Sequence, residues 1–127
     1  MSHARVFVVQ NPMRYDPDRG ELVEKHDVSA AQAWGRVVYV LPPRAIIARA
    51  AEAVETITRS LSSFCDDDYL LPMGHPCFIG WSTTIAAAVN HGRVRFLVWS
   101  KPSYVVVKSF LPVQFTSVLS DPSGATP

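Results

Sequence analysis

The chain has 127 residues, of which 48% are hydrophobic and 18% are charged, and its formal net charge is +1. This length predicts one domain, and the apolar content supplies a core, which excludes intrinsic disorder over most of the chain. A nearly neutral charge disfavours a protein that binds nucleic acid, because neutralising phosphates requires a basic excess. The two cysteines form no Cys-x-x-Cys pair, which indicates a reducing compartment. No signal peptide or apolar run of about 18 residues is present, so we expect a cytoplasmic protein without a membrane span.

A strand and a short helix are predicted in the N-terminal part of the chain. Arg5 to Gln10 is β-branched and aromatic, which is typical of a strand. Turn-forming residues follow from Asp16 to Gly20, and Glu21 to Lys25 is a candidate short edge strand. Ser29 is placed to cap a short helix that Gly35 ends.

A buried strand and an amphipathic helix are predicted next. Arg36 to Leu41 is almost entirely apolar, a pattern typical of a strand that is buried on both faces. Pro42 and Pro43 end this strand and suit the first turn of a helix. From Ile47 to Leu61, apolar residues recur at steps of three and four, which predicts an amphipathic helix of about five turns.

The C-terminal half of the chain contains a short strand, a second helix and a hairpin. Tyr69 to Met73 is the strand, and Phe78 to His91 is predicted to be a deeply buried helix, because it is apolar over most of its surface. Gly92 is placed for a left-handed cap at the end of this helix. Arg93 to Trp99 and Tyr104 to Phe110 flank a turn and predict an antiparallel hairpin.

The order of elements predicts a single α/β domain over residues 1–112, with a mixed sheet of about five strands and two main helices. Strand–helix–strand units form right-handed crossovers between parallel strands, so the strands beginning at Arg36, Tyr69 and Arg93 should be parallel. The hairpin makes the last strand antiparallel, at an edge. The position of the first strand in the sheet stays open. Residues 113–127 have the composition of a largely disordered tail.

The turn from Leu71 to Pro76 is the leading candidate for a ligand site. It follows the carboxyl end of a strand, where open α/β sheets bind ligands, and it leads into a helix N-terminus, which favours anions. Gly74 permits close approach of the backbone, and His75 is able to donate to a phosphate or to move a proton near neutral pH. The alternative interpretation is structural: Gly74 forms the turn, His75 caps the helix and Pro76 begins it.

Other polar residues give less indication of a metal-binding or catalytic role. Asp66, Asp67 and Asp68 are of the type that binds divalent cations, but consecutive residues rarely face one ion, so a solvated loop is the preferred interpretation. The four histidines lack metal-ligand spacing, and we predict neither a metal nor a cofactor. Cys77 lies near a helix start, but no orienting group or oxyanion site accompanies it, so a small buried side chain is expected.

The predicted terminal hairpin carries both basic and aromatic side chains. Arg93 and Arg95 share a strand face and are candidates for binding a phosphate. Together with Lys101 and Lys108 they form a modest basic patch, for which an exposed edge is sufficient explanation. Trp99 and Tyr104 bracket the turn, where aromatic residues anchor protein interfaces or close the edge of a core. The predicted partner-binding residues are therefore Trp99, Lys101, Tyr104, Asp66, Asp67 and Asp68.

Four parts of the sequence carry a family resemblance: RVVYVLPP from Arg36, DDDYLLPMGHP from Asp66, NHGRV from Asn90, and Trp99. With these segments, residues 5–111 resemble a family of short proteins encoded by phages and prophages of proteobacteria. Members of that family tend to have aspartate at the position of His75, which implies that His75 is not a catalytic group of the family. The resemblance brings no activity with it; it implies a mobile-element origin and a role in infection or in countering host defence.

A second resemblance covers residues 69–110, where a strand, Gly74-His75, a helix, Arg93 and a hairpin follow one another. This order is similar to that of the viral ring nucleases, which cleave cyclic oligoadenylate signals with a histidine that follows a glycine. The resemblance implies that His75 is a catalytic acid and that Arg93 or Arg95 holds a phosphate, as an analogy at the level of the fold.

Three functions follow from these observations. The leading hypothesis is a phage or mobile-element accessory protein that binds a host or viral protein, for example as an anti-CRISPR-like inhibitor of a defence complex in the host cytoplasm. The second is a protein that binds or cleaves a cyclic nucleotide or another phosphorylated ligand at the turn from Gly74 to Pro76. The third is a DNA-associated or oligomeric structural protein. The lack of a complete catalytic set favours a binding protein over an enzyme, and a homodimer is the expected oligomer because two-fold dimers are the commonest.

Overall fold

A computed structural model describes residues 3–24 and 28–113 of the chain. The strands are β1 (Arg5–Gln10), β2 (Met13–Asp16), β3 (Glu21–Glu24), β4 (Arg36–Leu41), β5 (Tyr69–Leu71), β6 (Arg93–Ser100) and β7 (Ser103–Phe110). The helices are α1 (Ala50–Ser60) and α2 (Pro76–Val89), with 3-10 helices at Ser29–Ala33 and Ile47–Arg49. The predicted tail, apart from Val113, lies outside the described residues.

Five strands form one mixed sheet in the order β4-β1-β5-β6-β7. The first four are parallel to their neighbours, and β7 is antiparallel to β6. The predicted single α/β domain, with parallel central strands and an antiparallel C-terminal hairpin, is therefore confirmed. The structure also establishes the position of the first strand in the sheet, which the sequence left open, because β1 lies between β4 and β5.

The sheet has a core on each of its faces, because side chains alternate along a strand. On one face, α1 and α2 pack against each other and cover Phe7, Val9 and Leu70. On the other face, the 3-10 helix Ser29–Ala33 lies near Val6 and Val8, and Trp34 meets the ring of Tyr69 edge-on with the ring centroids 5.8 Å apart. As a result, β1 and its neighbour β5 are each buried on both faces.

Two expectations about the first half of the chain were wrong. The apolar segment Arg36–Leu41 is an edge strand, with exposed Arg36 and Tyr39, since β1 occupies the interior position between it and β5. The amphipathic helix begins only at Ala50, because the chain after Pro43 makes a turn and a 3-10 helix in which Ile47 is exposed. Its length is therefore about three turns.

Three further local expectations also differ from the structure. The turn residues from Asp16 to Gly20 connect β2 and β3 into a separate two-stranded hairpin, in which β2 was not predicted. The N-cap of the first 3-10 helix is Val28 rather than Ser29. Helix α2 is not buried over most of its surface, since Cys77 and Val89 are exposed; its buried residues are Phe78, Ser82, Ala86 and Ala87.

The end of α2 is left-handed as predicted, but the residue directly after the cap Asn90 is His91, with a φ of 57°, rather than Gly92. Gly92 follows with a φ of 87°, and its N–H donates to the Ala87 carbonyl at 2.7 Å. A Cβ atom at this position would lie 2.4 Å from the carbonyl oxygen of Leu111. Position 92, the second residue after the cap, thus requires glycine for conformation and for space.

Candidate functional site

A crevice of about 560 Å³ lies at the edge of the sheet where the parallel strands end, which we call the carboxyl edge. The chain runs from β1 outward to β4 and then returns past β1 to β5, so this is the point where the strand order reverses. Doubly wound sheets bind ligands at such a switch point, and the volume is in the usual range for a small-molecule site. The switch-point crevice is lined by Gln10, Asn11, Pro12, Met13, Arg14, Tyr15, Pro43, Met73, Gly74 and His75.

Gln10, the last residue of β1, fixes the floor of the crevice. Its side-chain Nε2 donates to the carbonyl oxygens of Ala45 at 3.1 Å and Pro43 at 3.4 Å, and its Oε1 accepts the backbone N–H of His75 at 3.1 Å. One amide side chain therefore joins the segments that follow β4 and β5 to the end of β1. This connection holds three separate pieces of chain in one arrangement around the crevice.

Gly74 is required by the same arrangement. Its φ is 128°, a conformation that side chains disfavour, and a Cβ atom would lie 2.6 Å from the Cβ of Gln10. The sequence interpretation of Gly74 as a residue of close approach agrees with this contact, although the group that approaches is Gln10 and the ligand remains a prediction.

His75 is the N-cap of α2. Its Nδ1 accepts the backbone N–H of Cys77 at 3.0 Å, and its ring lies 5.5 Å from that of Phe78. An acceptor at Nδ1 in the neutral imidazole places the proton on Nε2, which can donate to a ligand. The helix start itself offers less to an anion, because Pro76 has no N–H and the Cys77 N–H is bonded to His75.

The positive charge at the crevice comes from arginines that the sequence analysis did not select. Arg14 lines the crevice, and Arg44 lies beside it with its guanidinium 5.8 Å from the ring centroid of Tyr15. Neither arginine makes an ion pair with an acidic side chain in the described part of the chain. Among the described residues that line the crevice there is no carboxylate, so the chemistry of this described lining favours an anion.

The opposite edge of the sheet, the amino edge, carries paired charges. Asp68 is buried, with 1% of its surface exposed, and accepts from the Arg5 guanidinium at 2.8 and 3.1 Å and from the Cys65 backbone N–H at 3.0 Å. The hydrogen bonds to Asp68 raise the pKa of Arg5 above its ordinary value. These contacts join the start of β1 to the loop before β5.

The two predicted phosphate-binding arginines also belong to the amino edge, where β6 begins. Arg93 donates to Asp66 at 2.9 Å, and the guanidinium of Arg95 lies 4.0 Å from the ring centroid of Tyr69. Hydrogen bonds from Arg93, and then from Asn90, lower the pKa of Asp66 below its usual range. The structure thus does not bring Arg93 and Arg95 to Gly74 and His75.

The predicted partner-binding residues do not share one surface either. Trp99, with 51% of its surface exposed, and Lys101 lie at the turn between β6 and β7, whereas the three aspartates lie at the amino edge. Tyr104 is buried and meets Trp99 edge-on, with the ring centroids 5.1 Å apart, so it closes the core. Among residues 3–24 and 28–113, no group of three metal-ligating side chains comes together.

A match to a family model decides the family of the chain. The model described as Phage Pam3 gp32-like protein matches residues 4–115. The chain belongs to this family. The expected phage origin is therefore supported. No curated protein and no solved structure matches the chain.

The Pam3 gp32-like family gives no support to the resemblance to viral ring nucleases. The separation of Arg93 and Arg95 from His75 also leaves the residues of that analogy on opposite edges of the sheet. In the described ranges, no helix has the length and apolar character that crossing a bilayer requires.

Proposed function

We propose that this Pam3 gp32-like protein binds a small phosphorylated ligand of the nucleotide class in the switch-point crevice. The observation that carries the proposal is the lining of that crevice, which contains Arg14 and His75 and, as far as the structure describes the chain, no carboxylate. The location supports it independently, because ligands of doubly wound sheets bind where the strand order reverses.

The charges of the lining favour phosphate over a neutral or cationic ligand. Arg14 presents a guanidinium, which matches the geometry of two phosphate oxygens, and Arg44 stands next to the Tyr15 side of the crevice. Since neither cation is neutralised by a described acidic side chain, an anion gains their attraction without breaking an ion pair. His75, which lines the same crevice, adds an Nε2 donor.

The apolar part of the lining favours a planar group attached to the phosphate. Tyr15 is 49% exposed, and Met13 and Met73 line the same space. Nucleobases stack on aromatic side chains, and methionine adapts to the shape of flat apolar groups. A nucleotide uses both properties of the crevice at once.

We propose binding rather than cleavage. The Nδ1 atom of His75 is engaged in capping α2, and no described residue of the lining is a carboxylate that would orient the imidazole or activate water. The protein would then act in the infected cell by holding a signalling or metabolic nucleotide away from other proteins.

The test is isothermal titration of the full chain with a panel of 5′-nucleotides, cyclic mononucleotides, cyclic oligoadenylates, the matching nucleosides and inorganic phosphate. We expect a phosphorylated compound to bind and its nucleoside to bind at least about tenfold more weakly, a difference of about 1.4 kcal/mol. Arg14→Gln should lose a similar factor. Arg19→Gln, an exposed arginine on the same hairpin but outside the crevice, is the matched control. Absence of binding by the whole panel, or unchanged binding by Arg14→Gln, would refute the proposal.

A second candidate function is the binding of a host or viral protein, including inhibition of a defence complex. The observation that favours it is the exposed indole of Trp99 at the hairpin turn, with Lys101 beside it. Capture experiments from host lysate with the wild type and with Trp99→Ala test this candidate. A stoichiometric partner that is lost with Trp99→Ala supports it, and identical captures by the two proteins contradict it.

A further inference from the structure

We propose that the ligand of the switch-point crevice is a dinucleotide, and that its second nucleoside lies in a neighbouring cavity on the other side of residues 42–45. This inference rests on the proposed function, because it extends the same ligand beyond the crevice. The observation that carries it is the position of Arg44. This residue lines the second cavity, and its guanidinium lies 5.8 Å from the ring centroid of Tyr15, which lines the crevice.

The second cavity, which we call the α1 cavity, has a volume of about 390 Å³ and lies between the end of β4 and helix α1. Leu41, the last residue of β4, contributes to its lining, as do Ala53 and Thr56 of α1. The α1 cavity is therefore at the carboxyl edge of the sheet, like the crevice. Its volume is in the usual range for a small-molecule site.

The segment that separates the two cavities is held by the end of β1. Pro43 lines the crevice and Ala45 lines the α1 cavity, and the Nε2 of Gln10 donates to the carbonyl oxygens of both residues. The backbone N–H of Asn11 donates to the Leu41 carbonyl at 2.9 Å. These hydrogen bonds set the position of one cavity relative to the other before a ligand binds, which lowers the cost of binding a ligand that spans both.

The charges of the two cavities complement each other. No described residue that lines the crevice is a carboxylate, whereas Glu52 lines the α1 cavity at 4.0 Å from Arg49. Both side chains of this pair are about three-quarters exposed, so the pair contributes little and leaves the carboxylate available as an acceptor. A carboxylate repels a phosphate but accepts hydrogen bonds from ribose hydroxyls and base amino groups. The α1 cavity therefore suits a nucleoside better than a second phosphate group.

The α1 cavity also offers apolar surface to a base. Ile46 is 52% exposed and lines the cavity together with the buried residues Leu41 and Ala53. Covering an exposed aliphatic side chain with a flat base removes apolar surface from water, which favours binding. Ile47, the next residue, is 42% exposed but does not line the cavity. The two neighbouring isoleucines thus provide a test position and its control.

Arg44 is placed to bind the phosphodiester group that joins the two nucleosides. A guanidinium donates to two phosphate oxygens at once, and Arg44 makes no ion pair with an acidic side chain among residues 3–24 and 28–113. Arg14 and His75 remain for the phosphate in the crevice. A second nucleoside that is joined to the first is held near the α1 cavity at a high effective concentration, so it adds affinity at little further entropic cost.

The test is isothermal titration of the full chain with 5′-mononucleotides and with the linear 5′-phosphorylated and cyclic dinucleotides of the same bases. We expect the wild type to bind a dinucleotide at least about tenfold more tightly than the matching mononucleotide. Ile46→Ser should remove most of this gain, whereas Ile47→Ser should keep it. Arg44→Gln should weaken dinucleotide binding more than mononucleotide binding, and Arg14→Gln should weaken both. Circular dichroism of each variant establishes that the fold is retained.

The outcomes separate this inference from the proposed function. Mononucleotide binding that depends on Arg14, without any gain for the dinucleotides, would overturn the inference and leave the proposed function standing. A folded Ile46→Ser that keeps the full gain, or an equal loss in Ile47→Ser, would show that the second nucleoside does not occupy the α1 cavity. A gain that persists in Arg44→Gln would contradict the position of the phosphodiester group. Absence of binding by every compound would refute both proposals.

Discussion

The two edges of the central sheet hold their positive charges differently. At the amino edge, the guanidinium groups of Arg5 and Arg93 lie 2.8 and 2.9 Å from carboxylates of the same chain, Asp68 and Asp66. At the carboxyl edge, Arg14 and Arg44 make no ion pair with a described acidic residue. A paired cation contributes to folding, whereas an unpaired cation at a crevice is available to an anion from outside. The comparison separates arginines that maintain the fold from arginines that can bind.

The largest effect is expected for Asp68→Ala at the amino edge. The change removes the acceptor for the Arg5 guanidinium and for the backbone N–H groups of Arg5 and Cys65. Breaking a buried ion pair costs roughly 3–5 kcal/mol, and we expect about 3 kcal/mol here because Arg5 keeps partial access to water. Urea unfolding measures the loss.

Asp67→Ala is the control for that change, because Asp67 is the exposed neighbour in the same loop. It should alter the free energy of unfolding by no more than about 0.5 kcal/mol. Equal effects of the two substitutions would show that the loop, and not the Arg5–Asp68 pair, accounts for the stability of this edge.

The next effect is expected for Gly74→Ala at the carboxyl edge. The added Cβ would meet the Cβ of Gln10 at 2.6 Å in a backbone conformation unsuited to alanine, so we expect destabilisation of about 1–3 kcal/mol together with weaker ligand binding. Gly80→Ala is the matched control, since it adds a methyl group in open space on α2. It should stabilise the helix by up to about 1 kcal/mol. A neutral Gly74→Ala would show that Gln10 does not fix the floor of the crevice.

The pH dependence of stability should distinguish the edges further. The pKa of Asp66 is lowered in the folded state by Arg93 and Asn90. A lowered pKa contributes stability above the unfolded value of about 4, and this contribution is lost as the pH falls through the folded-state pKa. Asp66→Asn should therefore be less stable than the wild type near neutral pH, and the difference should shrink in acid.

Urea unfolding at about pH 6 and about pH 3 measures this change, on either side of the ordinary carboxylate pKa. Arg93→Gln should likewise make the free energy of unfolding less dependent on pH than that of the wild type, because it removes the main cause of the lowered Asp66 pKa. A difference between wild type and Asp66→Asn that grows in acid would contradict the assignment.

The sequence predicted the sheet better than it predicted the crevice, for a physical reason. The hydrophobic period and the turn residues are local signals. They were sufficient to predict β1, β6, β7 and the parallel order of the central strands, and also the role of Gly74 in a tight turn. The crevice depends on which strand lies beside β5, and the candidates Arg5–Gln10 and Arg36–Leu41 are two apolar segments of similar composition, of which the first is interior and the second is at the edge. With the position of β1 open, nothing placed Gln10 beside His75.

The missed arginines have the same explanation. Arg14 lies on β2, a strand of mixed polarity that exists through its pairing with β3, and Arg44 lies in the turn that the sequence assigned to a helix. Arg93 and Arg95 were selected because they stand on a clear strand, but the direction of β6 places them at the amino edge. The sequence did contain one signal for this crevice. Asn11 and Pro12 end the first strand, and ligands of parallel sheets bind beyond the carboxyl ends of strands.

The smallest effect on stability is expected for Arg14→Gln, and it bears most directly on the comparison between the edges. The side chain is exposed and has no ion pair in the described part of the chain, so its loss should change the free energy of unfolding by less than about 0.5 kcal/mol. The same variant should lose the stabilisation that a bound nucleotide gives the wild type, because a ligand stabilises only the state that binds it. Thermal unfolding with and without the ligand measures both quantities in one experiment. If Arg14→Gln alone destabilised the chain as strongly as Asp68→Ala, the arginines of both edges would serve the fold, and the crevice would have no free cation to offer a phosphate.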